Sequence, residues 1–163
     1  MNRQDTYPNF AALFRHRPQA VALVEGDEAH PRIRGVVRFY GTRYGVMVVA
    51  EVMGLPAPRG ACDKPIFAFH IHEGGECNGD AAEPFAAAKG HFNPHGCPHP
   101  RHAGDLPPLF GCDGMAFLAT LTDRFTVEEI IGRTVIIHAS PDDFTTQPAG
   151  NAHGRIACGV IRQ

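Results

Sequence analysis

No run of apolar residues in this 163-residue chain approaches the roughly 20 needed to cross a bilayer as a helix. An excess of one charge is also missing: 15 Lys and Arg stand against 17 Asp and Glu, a formal net charge of -2. So even a balance gives no electrostatic footprint for nucleic acid or for a membrane surface, and neither is expected as a partner. The opening MNRQDTYPNFAALFRHRPQA holds no continuous hydrophobic segment, because Asn9, Arg15 and Arg17 crowd the short patch around it. It is a poor secretory signal, so a cytoplasmic address is expected; a leader removed from upstream of Met1 leaves an extracytoplasmic one open. Internal repeats and low-complexity segments are absent too.

Gly 18 and Pro 14 together make about a fifth of the residues, which favours many turns over long helices. Residues 1–19 read as an extension with a helical turn or two around Phe10, Leu13 and Phe14, and residues 20–163 as one domain. From Ala20 the period changes. Val21–Val24, Ile33–Tyr40, Val46–Met53, Ile66–Glu73, Met115–Leu121, Thr134–His138 and Arg155–Ile161 are β-branched and aromatic runs bounded by turn residues. Gly41 and Gly45 bracket a hairpin turn, and Val127–Ile131 is a candidate short helix. Cys77–Leu109 and Ser140–Gly154 have no periodicity, and loops of that length in a small domain are usually functional. Short strands with two long loops predict an all-β Greek-key sandwich or barrel.

Six of the 10 histidines, His70, His72, His91, His95, His99 and His102, fall between Phe67 and Asp105, and His138 ends the run TVIIH. Neutral imidazole is the commonest ligand for zinc and copper, and Asp105 adds a hard oxygen donor. In the strand FAFHIHE, Phe67, Phe69 and Ile71 fall on one face and Ala68, His70 and His72 on the other. Two imidazoles side by side on a rigid element suit chelation. Solvated histidines on a sheet surface would explain His70 and His72 alone, but not the whole cluster. His16, His30 and His153 fit no such pattern and read as solvated.

The pieces FHIHE, HFNP, HAGDL, IIGRTVIIH with DD close behind, and GNAHGRIACGVI occur in this order from Ala20 to the C-terminus. In them the chain resembles the copper/zinc superoxide dismutase family, its bacterial-type members in particular. The resemblance implies an immunoglobulin-like β-sandwich, copper and zinc as cofactors, and superoxide as substrate. It implies copper ligation by His70, His72 and His138, with His91 bridging to zinc and passing protons. It also implies zinc ligation by His102 and Asp105 and by one of two competitors, His95 in H-G-x-P or His99 by spacing, with His99 slightly favoured. Arg155 is implied to guide the anion, Asp142 to tie the two sets of ligands together, and Cys77–Cys158 to form a disulfide. Members are often dimers, and no residue here decides that.

The segment Ala139 to Gly154 has no Lys or Arg and carries Asp142 and Asp143, so long-range steering by it is expected to be weak. The loop carrying the zinc ligands is short for the family, which keeps a copper-only dismutase open. A copper-holding or copper-delivering module of the same fold is the other alternative. Arg155 favours the enzyme, since storage needs no anion guide. A zinc hydrolase lacks a separate general base. With five cysteines at least one thiol is left over. Cys62 reads as spare, and Cys97 and Cys112 as small buried residues or a pair.

Overall fold

The computed structural model describes residues 9–58, 60–62 and 65–163. Nine strands form among the described residues: β1 (Ala20–Gly26), β2 (Arg34–Thr42), β3 (Gly45–Met53), β4 (Ile66–Phe67), β5 (Phe69–His72), β6 (Leu109–Phe110), β7 (Met115–Thr122), β8 (Thr134–His138) and β9 (Arg155–Arg162). Seven make one antiparallel sheet in the order β5-β8-β9-β1-β2-β3-β7, and β4 pairs with β6. Each of the seven expected strands is present. The expected strand at 66–73 is divided at Ala68, whose N–H bonds Ser140 O and whose carbonyl accepts from His138 N. The helix α1 (Val127–Ile130) is fixed by a capping box between Thr126 and Glu129.

Alternation sets the core. Ala20, Ala22 and Val24 of β1 face inward, as do Val37 and Phe39 of β2. Ala116 from one end of the sheet and Phe69 and Ile71 from the other join the same apolar cluster. Twisted strands allow the sheet to curl until its two ends share that core, giving the half-barrel of a Greek-key fold. The β2–β3 hairpin turns at Gly45, where φ is 124° and a Cβ would lie 2.3 Å from Thr122 O.

The segment Phe10–Arg15 forms a 3-10 helix of about two turns. Its Phe10 and Leu13 cover Tyr40, Met47 and Val49 on the outer side of β2 and β3. That is why the outward-facing Met47 and Val49 of β3 are buried while Leu23, Met53, Met115 and Phe117 remain exposed.

The stretch from Cys77 to Leu109 is irregular except for a 3-10 turn at Ala86–Ala88 and the start of β6. A Cys77–Cys158 disulfide ties it to β9. Cys62 is a free, exposed thiol, as expected of a spare cysteine, whereas Cys97, half-buried, and Cys112, exposed, correct the sequence reading: both are free thiols and neither is a buried core residue. Cys112 opens the tight Asp113-Gly114 turn, exchanging two backbone hydrogen bonds with Met115, and this puts it at a solvent-facing hairpin tip. Cys97 lies in a turn held by Asn93, which bonds both its N–H and its carbonyl.

Candidate metal centre

Strand β5 supplies His70 and His72, and the end of β8 supplies His138. The sheet register sets Phe69 opposite Ile137 and His70 opposite Ile136. A bulge between Ile137 and His138 then redirects the last residue of β8. His91 reaches the same spot through a bridge to His72. The four can each offer one nitrogen within 4.8 Å of the others, and so can the nitrogens and oxygen of His91, His99, His102 and Asp105. His91 belongs to both sets. All seven residues are buried, whereas His95 is exposed and stands outside the cluster.

Hydrogen bonds decide which nitrogen each ring presents. His72 Nδ1 lies 2.8 Å from Lys89 O and His138 Nδ1 3.2 Å from His153 O. A carbonyl only accepts, so each Nδ1 carries the proton and each Nε2 is a bare lone pair. Those two Nε2 atoms face one another at 3.3 Å. His70 Nε2 lies 2.8 Å from Asp142 Oδ2 and His99 Nε2 2.9 Å from Asp142 Oδ1. One carboxylate therefore orients a ring of each set. His91 Nδ1 is 2.8 Å from Asp105 Oδ1 and 3.4 Å from His102 Nδ1.

This leaves His70 Nδ1, His91 Nε2 and His99 Nδ1 buried with no hydrogen-bond partner. Buried polar atoms are rarely left so, because each forfeits its hydration. Lone pairs converging in a dry pocket, with the opposite ring nitrogen anchored on a carboxylate or carbonyl, are the arrangement metal ligands adopt. The nitrogen-only set suits copper, and the set with a carboxylate oxygen suits zinc. The residues present thus fit both ions.

A cavity of about 530 Å³ opens beside His72, His91 and His138, and Arg155 lines it. The guanidinium is half-buried, with Nη1 donating to Phe85 O at 2.5 Å and Nη2 to Lys89 O at 2.6 Å. Several contributors carried no signal in the sequence. The carbonyls of Phe85, Lys89 and His153 act through the backbone. Gln147 clamps His99, accepting from its N–H at 2.9 Å and donating to its carbonyl at 2.7 Å. Arg124 gathers the carbonyls of Pro100, His102 and Asp105. Gly150, at φ 67°, leaves room for the Asp142 carboxylate, since a Cβ there would lie 2.0 Å from Oδ1.

Burial favours the neutral form of His70, His72, His102 and His138. It lowers His138 to about 3, with the charges of His70 and His91 adding to the effect. The His72 ring is pushed well below its ordinary value, also chiefly by burial. For Asp142 burial acts upward, but hydrogen bonds from His70, the Phe144 N–H and His99 outweigh it and hold the carboxyl at about 2. A histidine whose folded value is lowered binds its proton more readily unfolded. Stability is therefore complete above the ordinary histidine value near 6.5 and declines from there towards about 3. Asp142 adds a further loss as pH falls from 3.8 towards about 2. Metal-free protein is expected to melt progressively lower between pH 7 and pH 4, by several degrees, in a calorimetric series. A melting temperature independent of pH over that range would contradict the buried, neutral histidines.

The sequence pattern described as copper/zinc superoxide dismutase (SODC) matches residues 33–161. Copper–zinc superoxide dismutase 2 of Aquifex aeolicus is 39% identical over 143 residues, covering 78% of each chain. The copper–zinc superoxide dismutase of Deinococcus radiodurans is 39% identical over 150 residues, 80% of this chain and 78% of its own. That of Photobacterium leiognathi is 34% identical over 143 residues, 78% of each. With two histidine-rich clusters joined through one imidazole inside a curled antiparallel sheet, this chain belongs to the copper/zinc superoxide dismutase family, and its reaction is the dismutation of superoxide.

Proposed function

We propose how the residues of this chain divide the work of dismutation. Copper would be held by His70 Nδ1, His72 Nε2, His138 Nε2 and His91 Nε2. Zinc would be held by His91 Nδ1, His99, His102 and Asp105. Copper, when bound, supplies the one-electron chemistry, accepting an electron from one superoxide and returning one to the next. Asp142 fixes the His70 and His99 rings and so couples the two sets. His91 Nε2 has no hydrogen-bond partner, and His91 lines the cavity. That nitrogen is suited to hold a proton and pass it to the reduced product. Arg155 offers a fixed cation beside His72 and His138 to a small anion entering the cavity, with its fork locked by two carbonyls. The observation that carries this reading is the pair of bare lone pairs of His72 and His138, 3.3 Å apart. The complete His91, His99, His102 and Asp105 set favours a two-metal enzyme over a copper-only one.

For location, the cytoplasmic expectation remains a proposal. In that compartment the Cys77–Cys158 bond needs protection from thiols, and the burial of Cys158 at 2% exposure favours this.

A homodimer is proposed through the outer face of β1, β2, β3 and β7. Leu23, Met53, Met115 and Phe117 line one groove there, each more than half exposed. Glu25, Arg34 and Glu51 line the same groove. Patches carrying both signs can face themselves across a two-fold axis. Sedimentation of the wild type as a dimer and of Phe117→Glu as a folded monomer is expected; a monomeric wild type would rule the interface out.

A set of single variants tests the residue roles. His138→Ala is expected to lose at least 100-fold in superoxide decay rate, and Arg155→Ala to be slowed about 10-fold with its copper retained. His99→Ala should lose zinc while His95→Ala keeps it. Full activity in His138→Ala, or zinc lost in His95→Ala alone, would overturn these assignments.

A further inference from the structure

His91 serves both metal sets, yet little backbone holds it in place. It lies in the irregular stretch after Cys77 and meets β5 only through an isolated bridge to His72. A pair of hydrogen bonds makes that bridge: the Glu73 N–H donates to Gly90 O at 2.9 Å and the Phe92 N–H to Ile71 O at 2.8 Å. A pairing so short opens far more readily than a full strand ladder.

Arg133, in the turn between α1 and β8, braces that bridge from outside. Its Nε donates to Glu129 O at 2.8 Å, which fastens the side chain to α1. Its Nη1 donates to Glu73 O at 3.2 Å. Its guanidinium carbon sits over the Phe92 ring, 3.9 Å from the centre, in a cation–π contact. Glu73 follows His72 in the chain and Phe92 follows His91, so the guanidinium straddles the bridge between these two ligands. The neighbouring Thr134 adds a bond from its hydroxyl to Gly74 O at 3.1 Å. Both grips come from the start of β8, and His138 ends the same strand. The segments carrying the copper-set histidines are thus joined at one guanidinium. Burial of Phe92 in the main apolar cluster already holds it in the fold. What the planar cation adds is direction, because it sets the angle at which His91 and Phe92 lie on β5.

We propose that Arg133 is a positioning residue for the shared imidazole. It clamps His91 to His72 across their bridge and fixes the direction from which His91 Nε2 meets the nitrogens of His70, His72 and His138. It touches neither substrate nor metal and acts through Phe92 and Glu73. This rests on the two-metal dismutase reading and deepens it.

The test loads wild type, Arg133→Met, Arg133→Lys and Phe92→Leu with copper and zinc and counts both ions. The copper(II) electron paramagnetic resonance spectrum is recorded on the same samples as the superoxide decay rate. Arg133→Met keeps an apolar stem without donor or charge. It is expected to retain copper with a displaced spectrum, and to lose about 10-fold in zinc affinity and in decay rate. Arg133→Lys keeps the charge without the fork and should fall between the two. Phe92→Leu leaves the bonds to Glu129 and Glu73 in place and should displace the spectrum in the same direction; it decides the matter if Arg133→Met does not fold. A wild-type spectrum and zinc affinity in Arg133→Met, even with a lower melting temperature, would overturn the inference, since the arginine would then serve the fold alone. Failure of both Arg133→Met and Phe92→Leu to fold would overturn it for the same reason. Wild-type protein that binds both ions and fails to consume superoxide would instead defeat the dismutase reading, with the spectra still deciding the clamp.

Discussion

The structure depends on two imidazole nitrogens that face each other with no proton between them. His72 Nε2 and His138 Nε2 approach to 3.3 Å because the opposite nitrogen of each ring is anchored on a backbone carbonyl. Two lone pairs at that distance repel, and burial removes the water that would relieve them. Protonating either ring is disfavoured by burial and by the neighbouring imidazoles. A cation is the remaining way to satisfy the group. His70 Nδ1, His91 Nε2 and His99 Nδ1 are likewise buried without a hydrogen-bond partner, which turns a cluster that would destabilise the empty fold into a binding site.

Backbone geometry bears much of the burden of orientation. Phe85, Lys89 and His153 all have φ near 60°, unusual for residues with a side chain. Their carbonyls are the ones that hold Arg155, His72 and His138. The Cys77–Cys158 bond fixes one end of the segment carrying the first two of these carbonyls, on the strand that also carries Arg155. Strain, disulfide and guanidinium thus form one connected support around the cavity. On the far side Asp142 performs the equivalent task for His70 and His99, with Gly150 keeping space for it.

How much of this was legible from the residues follows from where the information lies. The inward Phe67, Phe69 and Ile71 and the opposed His70 and His72 were readable because a strand has period two. Strand positions were readable for the same reason, though the break at Ala68 was not, since its partners Ser140 and His138 lie far along the chain. Spacing alone favoured His99 over His95 only slightly; the contacts that hold His99, from Asp142 and Gln147, 43 and 48 residues away from it, leave no trace in an aperiodic loop. The supporting carbonyls had no signature either, because every residue has one. Cys112 looked like a small core residue until the Asp113-Gly114 turn put it at a hairpin tip.

The central claim is that the buried lone pairs exist to hold two cations joined through His91, one of which carries the redox chemistry. Titrating metal-free protein with copper and zinc, while counting bound ions and following superoxide decay on the same samples, tests it most directly. The account predicts saturation at about one copper and one zinc per chain, with the decay rate rising in proportion to copper alone. Stoichiometric copper with decay no faster than buffer, or a chain that retains neither ion, would contradict it.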